Sequence, residues 1–192
     1  EEEPEEMILD EMGMFRIYED SDPTYILMLK GNADGMELAG RMGASQLRNL
    51  LYAYKERMDK NRFIQNLLLD NLLLVDIYNQ AKKMKIPAEI KRVVFVIEPK
   101  NEGDILVQET LKGLYATGTK DFVTAIDEKH IILVKSLQST DDYPQVEQIA
   151  KELVTTLNME AMVSVRAAYG TIVEELKDVS RSYKEADMAL EV

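Results

Sequence analysis

The chain contains no cysteine. That absence removes disulfide staples, thiolate nucleophiles and cysteine-rich zinc sites together, and it suits a reducing compartment. There is one histidine, His130, so multi-histidine metal patterns and a triad with a second histidine have no residues to build on. No Gly-x-Ser-x-Gly motif offers a serine nucleophile in its place. Long hydrophobic runs are also missing. The longest apolar stretch, Leu67 to Val75, is interrupted by Asp70-Asn71 and is far shorter than the roughly 20 residues a membrane-crossing helix needs. No basic segment leads into an apolar one near the start, which reads Glu1-Glu2-Glu3-Pro4-Glu5-Glu6, so no secretory leader is recognised. The expectation is a cytoplasmic protein without a membrane partner.

Positive charge is scarce too. The net charge is −12, with seven acidic residues and no basic one between Glu1 and Glu11, which leaves −5 for the rest. Residues 1–11 therefore read as a solvated acidic tail. The chain has no basic patch of the kind that nucleic-acid binding requires, so direct DNA binding is not expected of it. With 46% hydrophobic and 30% charged residues the remainder is ordinary globular material.

Two β-like runs, Met14 to Tyr18 and Tyr25 to Leu29, flank the turn composition Glu19-Asp20-Ser21-Asp22-Pro23. They predict a hairpin over 12–35. Two strands alone are marginal in water, so the hairpin reads as the end of a sensor domain packed on something else. Between Met36 and Lys85 no proline occurs and the last glycine is Gly43, which predicts one helix over 36–86, stopped by Pro87. A heptad seam runs through Leu47, Leu51, Tyr54, Met58, Asn61, Gln65, Leu68, Leu72, Val75 and Asn79. Its apolar members Leu47, Leu51, Tyr54, Met58, Leu68, Leu72 and Val75 are the candidate interface of a parallel homodimer. Packing of the same stripe on the chain's own domain is the other reading. Gly40-x-x-Gly43 marks close helix packing, and Asp70-Asn71, off the seam, a capping or docking point for the following domain.

Beyond Pro87 the pattern becomes that of an α+β domain over 87–192. A buried strand at Arg92 to Ile97 is followed by a helix from Asp104 to Tyr115. Strands Phe122–Ile126 and Ile131–Lys135 enclose the turn Asp127-Glu128-Lys129-His130. A helix over Gln145 to Leu157, a strand over Met162 to Tyr169 and a last helix over Val173 to Leu190 complete it. The order βαββαβ plus a helix implies an antiparallel sheet in a ferredoxin-like sandwich, with its helices largely on one face.

That order resembles the GGDEF domains of diguanylate cyclases. The segment Ser182-Tyr183-Lys184-Glu185-Ala186-Asp187-Met188-Ala189-Leu190, following Arg166-Ala167-Ala168-Tyr169-Gly170, is similar to the "SYxEAxxAL" ending of the degenerate GGDEF-like domain of PucR and CdaR transcriptional regulators. The resemblance covers about Phe63 to Val192. It implies a dimerising signal-relay segment of a bacterial regulator that binds DNA through a C-terminal helix-turn-helix lying past this sequence and receives a small-molecule effector through the sensor.

A working GGDEF site needs a glycine-rich hairpin, so that backbone can approach the nucleotide, and carboxylates there and at the end of the first strand to hold Mg²⁺. Here the hairpin Ile126-Asp127-Glu128-Lys129-His130-Ile131 lacks glycine, and Glu98-Pro99-Lys100-Asn101 follows the first strand. Asp127, Glu128 and Glu98 could still gather a cation, although a charged hairpin turn is usually just a solvated turn. The expectation is no catalytic residue, no metal and no cofactor, and His130 reads as a surface histidine. The alternative is a nucleotide receptor, or a weak cyclase, using the remnant site.

Overall fold

The computed structural model describes residues 6–9, 11–19, 22–31, 35–100, 105–116 and 120–191. The chain forms two compact units, residues 1–59 and 60–192.

In the first unit β1 (Glu6–Leu9), β2 (Met12–Glu19) and β3 (Asp22–Lys30) make an antiparallel sheet in the order β1-β2-β3. The expected hairpin thus gains a third strand, and part of the expected acidic tail is that strand. Residues 1–5 and Asp10 lie outside the described residues. Alternation along β2 turns Phe15 and Ile17 to one face, where they pack with Ala44 of α1 (Met36–Leu68) and with Leu27, Leu29 and Leu51. Gly40 makes that approach feasible, since a Cβ there would meet the Phe15 ring at 2.0 Å. Glu6 pairs with Arg41 at 2.5 Å.

The second unit holds the rest of α1, then α2 (Leu74–Lys83), β4 (Arg92–Pro99), α3 (Ile105–Tyr115), β5 (Phe122–Ala125), β6 (Ile131–Ser136), α4 (Tyr143–Glu160), β7 (Val165–Tyr169) and α5 (Val179–Leu190). The sheet order is β5-β6-β4-β7, with every pairing antiparallel, the βαββαβ ferredoxin-like arrangement. The expected helix from Gln145 is longer here, starting from a capping box at Asp142, whose side chain accepts from Tyr143 N–H while Gln145 Oε1 accepts from Asp142 N–H. Strand β4 is the central strand. Its odd residues Val93, Phe95 and Ile97 pack under α3 and α4 with Val107, Leu111, Val146, Leu153 and Leu157. Its even residues Val94 and Val96 pack with Phe63, Ile64, Leu67 and Leu68 of α1, Ile77 and Ala81 of α2, and Val179, Tyr183 and Ala186 of α5.

Three expectations need correction. Helices cover both faces of the sheet, because a strand with consecutive residues all apolar, as Val93 to Ile97 are, exposes two hydrophobic faces to water unless both are covered. The helix expected over 36–86 is two, α1 and α2, with Asp70 between them in the left-handed region at φ 62. Neither glycine nor proline causes that break. At about 100° per residue, Leu68 and Ile77 would lie on opposite sides of a continuous helix, yet both belong to one core, so the chain turns to bury both. Asp70 then pairs with Lys184 of α5 at 2.9 Å, which fits the docking role expected of it. Finally, the last helix starts at Val179 rather than Val173, because Val173 is held in an isolated bridge with Arg92.

Arg92 itself is fully buried. Its guanidinium donates to the carbonyl oxygens of Pro87 and Ile90, fixing the turn between α2 and β4. Burial pushes its pKa down to about 10, opposed by the Asp121 carboxylate.

Candidate functional site

Where β4 ends and β7 begins, antiparallel register sets Glu98 opposite Arg166 and Pro99 opposite Val165. Glu98 Oε2 accepts from Arg166 Nε at 2.9 Å and Nη2 at 2.5 Å, and Lys100 N–H donates to Ser164 O at 2.9 Å. With Lys129 of the β5–β6 turn these residues line a groove of about 490 Å³. Three cationic side chains against one carboxylate make it a positive spot on a chain of net charge −12. The Glu98–Arg166 pair is largely solvated on the Arg166 side, with that side chain 66% exposed, so an incoming anionic group can replace Glu98 as acceptor at little expense.

The turn beside this groove is organised by Asp127. Its Oδ1 accepts from the N–H groups of Lys129 (2.8 Å) and His130 (2.7 Å), and its Oδ2 lies 2.9 Å from His130 Nδ1. Partial burial alone would push the Asp127 carboxyl up, but the His130 ring and the two backbone donors together hold it below its ordinary value. A smaller hollow of about 150 Å³ joins Asp127, His130, Glu98 and Arg166 to Tyr183, Asp187, Leu190 and Glu191 at the end of α5. Burial and the nearby Asp187 and Asp127 carboxylates push the Tyr183 hydroxyl up. Among the described residues, no group of three or more His, Asp or Glu side chains is placed to hold a metal ion.

The structure thus brings Glu98, Asp127 and His130 to one side of the sheet, while Glu128 lines neither hollow. Reading the sequence did not find Lys100, Ser164, Arg166 or Tyr183 as site residues. Arg166 reaches Glu98 only through strand register over 68 positions, a relationship without a local signature.

The seven candidate interface residues separate. Tyr54 and Met58 are exposed, Leu47 is at the edge of exposure, and Leu51 packs against the Phe15 cluster. Val75 is exposed and Leu72 half-buried, whereas Leu68 is fully buried beneath the second unit's sheet. Leu68 therefore cannot line a dimer seam in this fold. Residues 52–59 of α1 are exposed all the way round. Among the described residues no helix is long and apolar enough to cross a membrane.

The GGDEF-like domain family model matches residues 71–192. No curated protein matches the chain in sequence. One solved structure similar to it is of a microbial GGDEF domain, described with a novel mode of interaction with bis-(3,5)-cyclic di-GMP. It is 14% identical, with 68% of this chain and 84% of that one covered and a TM-score of 0.43.

Proposed function

We propose that this chain, which belongs to the GGDEF-like domain family, is a non-catalytic regulatory segment that relays a signal within a bacterial transcriptional regulator of the PucR/CdaR kind. The observation that carries the non-catalytic reading is the condition of the carboxylates where a cyclase would hold Mg²⁺. Asp127 is committed through both oxygens to the backbone and ring of its own turn, while Glu98 faces the Arg166 cation through Oε2. With both oxygens engaged in this way, Asp127 is a poor cation ligand unless the turn is rebuilt. The Ser182–Leu190 segment supports the finer family assignment, since its Ser182, Tyr183, Ala186 and Leu190 are the inward residues of α5.

In this reading the first unit is the end of a sensor that takes the effector, α1 is the relay, and DNA is reached through a helix-turn-helix after α5. Helix α1 suits the relay because it contributes core residues to both units, Ala44 to the first and Phe63, Ile64, Leu67 and Leu68 to the second. Its exposed Tyr54 and Met58 serve a homodimer contact. Incubation with GTP and Mg²⁺ or Mn²⁺, followed by chromatography for cyclic dinucleotides, tests the non-catalytic reading. No product is expected, and turnover abolished by Asp127→Ala would overturn it.

The positive groove favours one second reading, a receptor for an anionic nucleotide that is bound and not transformed. Lys100, Lys129 and Arg166 would meet its phosphates. A rise in melting temperature with GTP, ATP or a cyclic dinucleotide, absent in Arg166→Ala, is its signature.

A further inference from the structure

We infer that β3 is a self-pairing edge, joining antiparallel to β3 of a second copy with Ile26 on the two-fold axis. Among the described residues β3 pairs only with β2, so its other side is open. Gly31 N–H donates inward to Glu11 O at 2.9 Å. Alternation then turns the backbone groups of Leu29, Leu27 and Tyr25 toward β2, and those of Ile26, Met28 and Lys30 toward the open side.

Sheet edges left in water are ordinarily short, charged or broken by proline, because unpaired N–H and C=O groups are a template for another strand. Strand β1 is short, at four residues. Strand β3 has nine, its proline and its bulge are confined to Pro23 and Thr24 near the start, and no charge falls between Asp22 and Lys30. Ile26 and Met28 are 58% and 65% exposed.

The occupant is a second copy because the strand is complementary to itself. Antiparallel pairing centred on Ile26 sets Leu27 opposite Tyr25 and, past the bulge at Thr24, brings the Asp22 end of each strand toward the Lys30 end of the other, an opposite-charge match at both ends. A two-fold axis repeats every contact, as an isologous interface requires.

The absence of cysteine makes the register directly testable in the whole chain. A hydrogen-bonded antiparallel pair sets Cα atoms about 5.5 Å apart, within the roughly 4.4–6.8 Å that a disulfide spans. Ile26→Cys is therefore expected to form a covalent dimer on mild oxidation at about 50 μM, reversed by dithiothreitol. Two copies of Met28→Cys are about 14 Å apart in this register and should not crosslink. Failure of Ile26→Cys, or equal crosslinking at Ile26→Cys and Met28→Cys, overturns the proposal. The unaltered chain gives an independent reading by amide hydrogen exchange. Ile26, Met28 and Lys30 amides are expected to be protected at about 1 mM and to exchange at least tenfold faster at about 10 μM. Rates that do not change with concentration overturn it as well, and a dimer held only through α1 would leave these amides open at both concentrations.

Discussion

Gly170 lies against the backbone of Ser182 so closely that a Cβ on it would stand 1.9 Å from the Ser182 carbonyl oxygen. The contact joins the end of β7 to α5, and the same serine turns its Oγ to accept from Val94 N–H of the central strand at 3.1 Å. Gly170 N–H donates in turn to Val94 O at 3.0 Å. Together these bonds occupy the backbone of β4 just where its pairing with β7 gives out.

Gly170→Ala is expected to destabilise the second unit by about 3 kcal/mol, because the obstructing atom belongs to a helix backbone and cannot swing away. At about 2–4 °C per kcal/mol for a chain of this size, thermal unfolding should move down by roughly 6–12 °C. A shift below about 2 °C would mean that α5 is free to slide outward.

Ser182→Ala leaves a buried N–H on Val94 without its acceptor, which costs about 1–3 kcal/mol. Denaturant unfolding followed by circular dichroism should show the midpoint falling with an unchanged slope. Ser182→Cys, with a weaker acceptor of similar size, should fall between the two.

Leu68→Lys is expected to unfold the second unit rather than to separate two chains, since Leu68 is fully buried beneath the sheet and an ammonium there has no partner. Tyr54→Lys combined with Met58→Lys alters only exposed side chains of α1 and should leave both units folded. If α1 holds a dimer, light scattering at about 100 μM will show the double variant shifted toward monomer at unchanged helicity. An equal mass for wild type and variant would sink the α1 contact.

Acid should loosen the turn and α5 together. Asp127 is held below its ordinary value of 3.8 as described above, and Glu185 below its 4.5 by the Thr171 hydroxyl and N–H. In each case the unfolded chain takes up a proton more readily than the folded one. Their stabilisation is complete above those ordinary values and is lost as pH falls through the lower folded ones. Melting temperature measured from pH 6 down to pH 3 should fall less steeply, relative to its own starting value, in Asp127→Asn than in wild type. Parallel curves would show that Asp127 does not contribute.

The order of strands and helices in the second unit was legible in the sequence because each element carries its own local pattern. The short continuous apolar run of Arg92–Ile97 and the spaced apolar residues of α4 reflect local geometry, which no distant contact need supply. The remnant hairpin could be located for the same reason, since two strands around a charged turn are a local pattern. The sequence also determined what the chain cannot do with cysteine or with several histidines, because residues that are absent cannot be assembled by any fold.

Tertiary structure alone decided where α1 stops. No glycine or proline lies between Leu68 and Leu74; Asp70-Asn71 tolerates a turn, and the break there follows from two apolar faces, Leu68 and Ile77, that only one sheet can bury. The same choice moved Leu68 from a supposed seam into the core, and the bridge from Val173 to Arg92 shortened α5. The groove likewise depends on pairing between residues as far apart as Glu98 and Arg166. Side-chain periodicity states which face of an element is apolar. Which surface covers that face is a competition among the whole chain's surfaces, settled only when all of them are packed at once.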